Sequence, residues 1–313
     1  MMKNRRNQTA DRIRQRMGRR RIVPGKEQAA AVRRKPGWWK GVCFLLPSMA
    51  GVSIFVLLPF LDVLRRAFTS AVGGQFVGLS NFRSVLTNEA FRRAAANSIR
   101  FTIICIPLLL LSSLALSLWI RRIGKRGGFF KSIYLIPMAI PVSSIVLLWK
   151  YFFHGQGLLN GFLHLFGISG ADWMNTKYSF WILVFTYLWK NIGYDVILWL
   201  AGLSAIPESV YEAARVDGAG EKECLWYITL PNLLPSFFTI TVLSLLNSFK
   251  VFREAYLIGG SYPEEHMYLL QHVFQNWFRD LSLDKLSAAA VLVFFIIFVL
   301  ILLLKSRLHF HDE

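Results

Sequence analysis

Residues 211–231 read YEAARVDGAGEKECLWYITLP, and this stretch decides how the rest of the chain is read. It holds four of the 18 acidic residues, Glu212, Asp217, Glu221 and Glu223. Apolar runs of membrane length flank it, at 178–206 and 232–249. A segment this polar has no place in hydrocarbon, so it is expected to be a structured loop in water. Pro207 suits the first position of a helix, and Glu208 suits the positive end of its dipole. Residues 208–216 make about two and a half turns, with Val210, Ala213 and Ala214 on one face. Small side chains there let a partner surface approach closely. Glu212 and Arg215 are spaced to pair on the flank. Gly218 and Gly220 can take positive φ and end the helix. A second short helix is expected from Glu221 to about Ile228, and Pro231 stops it or opens the next apolar run. The product is a helix–turn–helix elbow joined to two membrane helices, a shape that can pass force between a soluble partner and the bilayer.

Bulk properties agree with a membrane chain. It has 313 residues, 54% of them hydrophobic, and a mean hydropathy of +0.43, where about 45–50% apolar is usual for soluble domains. The net charge of +18 lies mostly in a tail and in loops between apolar runs. It reads as membrane orientation and not as nucleic-acid binding. Cys43, Cys105 and Cys224 have no CxxC or metal spacing and read as unpaired thiols with packing roles. No catalytic or metal constellation is expected.

Residues 1–40 carry 14 Lys/Arg against two acids, Asp11 and Glu27, with no apolar periodicity. They read as a basic cytoplasmic arm without fixed structure. A helix needs roughly 20 apolar residues to cross about 30 Å of hydrocarbon. Six runs suffice or nearly so: 41–61, 101–120, 132–149, 178–206, 232–249 and 286–304. In lipid these must be helices, because the backbone has to bond to itself. With the arm inside, the inner segments carry 23 Lys/Arg and the outer ones 9, and the loop RRIGKR at 121–126 is the clearest inner marker. Both termini (the tail being 306–313) and the elbow 207–231 then face the cytoplasm. In the first outer loop Phe82, Val85, Leu86 and Phe91 are spaced as a short amphipathic helix. Pro137, Pro141 and Pro235 read as tolerated kinks.

The spacing EAA, three residues, Gly218, nine residues, then Ile228-x-Leu230-Pro231 resembles the EAA loop of permease subunits of ABC importers. DGAG at 217–220 adds to the match. FVGLSNF at 76–82, Asn97, LIPMAIP at 135–141 and SFKVFREAYLIGG at 248–260 resemble the carbohydrate-type branch, which includes maltose and glycerol-phosphate importers. The resemblance covers roughly 40–305. It implies an all-α integral membrane fold of type I, with six transmembrane helices and a cytoplasmic coupling loop. It implies a second homologous permease, a cytoplasmic ATPase dimer that holds the ATP and Mg, and an extracytoplasmic solute-binding protein that delivers a sugar. This chain would bind no cofactor and would not be an enzyme. The coupling residues carried over are Glu212, Ala213, Ala214, Asp217, Gly218, Gly220, Leu230 and Pro231, with Glu212 pairing a basic group of the ATPase.

Span four carries Trp189, Lys190, Asn191, Gly193, Tyr194 and Asp195, and span five Ser244, Asn247, Ser248, Lys250, Arg253 and Glu254. Charges inside a membrane usually face a protein interior. The resemblance carries sugar contacts onto Gly193, Tyr194, Ser244, Asn247 and Ser248. Interhelical hydrogen bonding and snorkelling are the plainer alternative for these polar groups. The chain departs from the branch where GGSYPEE replaces the more usual GGGP. The rival function is an ion-coupled secondary transporter, for which Asp195 is a fair intramembrane acid. A polytopic enzyme is a second rival, but the six histidines fall at or beyond span ends.

Overall fold

The structure, a computed structural model, describes residues 38–124 and 127–309. The chain divides into two compact units, Met1–Pro59 and Phe60–Glu313. The basic arm up to residue 37 and residues 310–313 of the tail lie outside the described residues. Of the first unit, α1 (Trp38–Val52) and a π-helical segment (Ser53–Leu57) are described, leading into α2 (Leu58–Ala67). The side chains of 41–59 are apolar and mostly exposed, Phe44 by 90% and Phe55 by 80%, as suits hydrocarbon.

The second unit continues with α3 (Ser80–Thr87), α4 (Glu89–Ile123), α5 (Gly127–Ala139), α6 (Val142–Phe153), α7 (Leu158–His164) and α8 (Ser179–Ala205). The elbow follows as α9 (Glu208–Val216), α10 (Glu221–Cys224), a π segment (Leu225–Thr229) and α11 (Leu230–Asn232). The chain ends with α12 (Leu234–Ser248), a 3-10 turn (Phe249–Val251), α13 (Phe252–Gly259), α14 (Leu270–Arg279) and α15 (Leu283–His309). Among the described residues four helices are long and apolar enough to cross a membrane, or five if one bent pair is counted as a single span. The remaining expected span is α8. Its 27 residues reach about 40 Å at 1.5 Å each, but Lys190, Asn191 and Asp195 make its middle polar.

Several boundaries differ from the sequence reading, each for a local reason. The expected run 132–149 is two half-helices, α5 and the α6–α7 arm, bent by 89°. Pro141 removes a donor and forces the residue before it out of helical geometry, and Pro141 itself is extended at the α6 N-cap, with ψ 138°. Span five runs on past Phe249, through the 3-10 turn, to Gly259. Span two starts at Glu89, because the Asn88 side chain accepts from the Phe91 N–H at 2.9 Å and caps a new helix. That cap also splits the expected outer amphipathic helix. Val85 and Phe91 are buried on separate helices, and Leu86 is exposed.

Two π segments each end two residues before a proline, at Pro59 and Pro231. In each, the leucine before the proline (Leu58, Leu230) bonds to a carbonyl five residues back. A proline ring clashes with the carbonyl four residues back, and the widened turn moves that carbonyl aside. This is why the second helix of the elbow does not stop at Ile228 but runs through Pro231 to Asn232.

The core of the second unit spreads along α4, α8 and α12. Ile106, Ile120, Val196, Trp199, Leu203, Leu233 and Ile240 pack together with Tyr211 and Cys224 of the elbow. Gly193 marks a close helix crossing: a Cβ there would run into the backbone carbonyl of Tyr134 on α5.

Candidate functional site: the elbow and the polar stripe above it

α9 begins at Glu208, with Pro207 at the N-cap and not inside the helix. It ends in a Schellman motif. The Ala219 N–H donates to the Ala214 carbonyl at 2.9 Å and the Gly218 N–H to Arg215 at 3.1 Å. This geometry requires positive φ at Gly218, which has φ +89°. Gly220 does not share it: it is extended, φ −80° and ψ 179°, as the N-cap of α10. Its conformation suits any residue, but a Cβ there would meet the Glu223 carboxylate at 2.6 Å.

The elbow is tied to itself and to span two through Tyr211, which is 6% exposed. Arg121 Nη1 donates to the Tyr211 hydroxyl at 3.1 Å, and its guanidinium lies 4.7 Å from the ring centroid. The Tyr211 hydroxyl meets Thr229 Oγ1 at 3.0 Å, and that oxygen donates to the Cys224 carbonyl at 3.1 Å. Arg121 also faces Glu208 at 3.7 Å, and Arg122 pairs with Glu221. The expected Glu212–Arg215 pair is absent among the described residues; Arg215 reaches back to Glu208 at 3.8 Å. Sequence reading missed Tyr211, Thr229 and Arg121, although the basic cluster after span two pointed toward the elbow.

The outward face also differs from expectation. Ala214 packs against the bundle core with Ala219, so it is not fully on the partner side. Ser209, Glu212, Ala213 and Val216 are exposed, at the i, i+3, i+4, i+7 spacing of one helical stripe. Val216 is 88% exposed, a large apolar side chain left in water by this chain alone. Asp217 and Gly218 are exposed beside it; Leu230 is half-buried and Pro231 exposed.

Of the five candidates for the solute path, three are enclosed within the chain. Gly193 is the helix-crossing residue, Ser248 donates to the Leu245 carbonyl, and Ser244 donates to Asp195 at 2.9 Å. Tyr194 and Asn247 keep partial exposure. Lys190 does not pair with Asp195. Its Nζ lies 2.8 Å from Glu254 Oε1 on α13, so the two spans exchange charges across their interface. The second carboxylate oxygen of Glu254 is buried without a partner among the described residues.

The family model described as "Binding-protein-dependent transport system inner membrane component" matches residues 109–309. The chain is similar to a sulfoquinovosyl glycerol transport system permease protein of Agrobacterium fabrum, with 30% identity over 261 residues, 81% of this chain and 85% of that one. It is also similar to a trehalose/maltose transport system permease protein of Thermococcus litoralis, with 31% identity over 229 residues, 71% and 78% of the two chains. Among solved structures it superposes on a chain of a bacterial ABC transporter involved in import of the acidic polysaccharide alginate, with TM-score 0.76 and 22% identity over 87% of this chain and 95% of that one.

Proposed function

The chain belongs to the binding-protein-dependent transport system inner membrane components, and from that membership we propose that it forms, with a second permease, the membrane path for a sugar or sugar derivative. It is a transport subunit of an ABC importer, of the type I permease fold, and not an enzyme. The relatives named for sulfoquinovosyl glycerol and for trehalose/maltose support a carbohydrate solute. The elbow supports the coupling role. It offers a stripe of Ser209, Glu212, Ala213 and Val216 outward and is fastened to the bundle through Tyr211.

In this reading the arm, the elbow and the tail are cytoplasmic. An ATPase dimer holding ATP and Mg closes and pulls on α9. Glu212 engages a basic group of that ATPase, and Val216 is covered by it. Asp217, Gly218 and Gly220 form the turn, and Leu230 and Pro231 pass the movement to span five. A solute-binding protein delivers sugar to the outer side. Differential affinity of the ATPase for the two elbow positions sets the populations of the inward and outward states.

The stripe is the observation that carries the coupling role, and Glu212→Lys tests it. Membrane insertion should be unchanged while co-purification of the ATPase falls, since a like charge replaces the proposed pair. Undiminished co-purification would remove Glu212 from the contact. In vesicles reconstituted with all subunits, uptake that needs ATP and the binding protein supports the importer. Uptake driven by an ion gradient alone refutes it. Orientation is best read at Val216→Cys, because the native Cys224 is only 8% exposed.

A further inference from the structure

A cavity of about 400 Å³ opens between the start of α6 and α13, lined by Val142, Ser143, Phe252, Arg253, Tyr256 and Leu257. Arg253 is exposed there, and among the described residues no carboxylate lies within ion-pair reach of it. Its neighbour Glu254 is 5% exposed and already pairs with Lys190. The acid is therefore balanced and the arginine is not. Arg253 lies inside the helix Leu234–Gly259, long and apolar enough to span. It stands six residues before the end of that helix, and an arginine within a span is a functional-site candidate whose partner has to be named.

The chemistry of the wall names that partner. A planar guanidinium matches the paired oxygens of a carboxylate, sulfonate or phosphate. Phe252 and Tyr256 offer ring faces and one hydroxyl to an amphipathic body. Val142 and Ser143 open a half-helix, and its first unbonded N–H groups add charge of the same sign.

We propose that this cavity receives the oxyanion of an acidic saccharide, with Arg253 as its ligand. The inference rests on the sugar-import reading above and narrows its solute class.

The test uses the assembled importer in phosphatidylcholine nanodiscs, with glucuronate and glucose as probes that differ by one carboxylate. Phenylglyoxal modification of Arg253 is followed by peptide mass spectrometry, and the exposed Arg83 on α3 serves as control. At a glucuronate concentration about four times its dissociation constant, modification of Arg253 should slow about fivefold by mass action. Glucose should have no effect, and Arg83 should not respond to either probe. Absence of protection by glucuronate, or equal protection by glucose, overturns the oxyanion site. Protection that arises only when phosphatidylglycerol is added gives the arginine to lipid and overturns the solute assignment. If Arg253 reacts in the isolated permease but never in the assembled importer, it belongs to a subunit contact, and the proposal falls. The readout does not depend on uptake. Retained protection in an importer that moves no sugar refutes the proposed function, whereas sugar uptake without protection refutes the site alone.

Discussion

Replacing Tyr211 by Phe removes one hydroxyl and keeps the ring in place. That hydroxyl accepts from Arg121 at 3.1 Å and meets Thr229 at 3.0 Å. Thr229 spends its own hydrogen on the Cys224 carbonyl, so Tyr211 is the donor of the second bond. A neutral bond is worth about 0.5–1.5 kcal/mol and one to a charged group about 1.5–3 kcal/mol. The Arg121 side chain is 32% exposed and keeps Glu208 nearby, so its loss belongs at the low end. Together the two losses amount to about 2 kcal/mol, or roughly a thirtyfold rise in the population of the opened elbow. Amide hydrogen exchange on the full chain in nanodiscs reads this directly. Exchange over 208–219 should quicken roughly thirtyfold while α8 and α12 hold their rates. Unchanged exchange over 208–219 would show that the hydroxyl joins nothing. Equal acceleration throughout α8 and α12 would show that the elbow opens only with the whole bundle. Either result refutes the idea of a local joint.

Gly218→Val places a β-branched side chain at φ +89°, which costs about 1–2 kcal/mol or more; insertion should be normal and ATP-driven uptake reduced, and normal uptake would dismiss the Schellman turn from the coupling path. Lys190→Met leaves Glu254 buried without its cation and should cost about 3–5 kcal/mol, whereas adding Glu254→Gln should recover most of that. Thermal unfolding in detergent checks this pair, and a double variant no more stable than the single one contradicts the charge argument. His272 is 0% exposed among Phe252, Tyr256 and Tyr268, with Nε2 unpartnered among the described residues. Burial pushes its pKa from 6.5 down to about 4. Its neutral ring therefore stabilises the fold fully above about pH 6.5, and that contribution, roughly 3 kcal/mol, is lost as pH falls toward 4. His272→Phe should flatten the stability profile between those values in denaturation experiments, and an unchanged profile would contradict the assignment.

The all-helical membrane character was legible because membrane helices must be long, apolar and internally bonded, and each condition leaves a mark in composition. The elbow was legible because glycine at 218 and proline at 231 punctuate it. The sequence could not tell that Gly218 and Gly220 do different things: one needs positive φ and the other only lacks a Cβ. The partners of charged residues were illegible for the same kind of reason. Lys190 has Asp195 on its own helix, but the helical surface turns that residue toward Ser244, while Glu254 on another span faces the lysine. Pairing across 64 positions depends on helix packing, and one sequence contains no statement of that packing. The face of α9 was half legible. Periodicity shows which residues share a side, but which side meets the bundle is decided by Tyr211, whose bulk fits only inward.

If α9 is the lever proposed above, its grip has to be stiff and its compliance has to lie elsewhere. The grip here has an explicit chemistry: Tyr211 ties α9 to Arg121 at the end of span two and to Thr229 before span five, and the Arg122–Glu221 pair ties α10 to span two. The π segment before Pro231 keeps the rod continuous where a plain helix would clash with the ring. The weak places are farther along the same chain. The 3-10 turn Phe249–Val251 interrupts span five, a device common at hinges because its hydrogen bonds are poorly aligned. The bend at 140–141 interrupts span three. α13 follows the first break and α6 follows the second, and the Arg253 cavity lies between those two helices. Movement entering at α9 and passing up span five is thus expected to spend itself where the cavity walls are free to part.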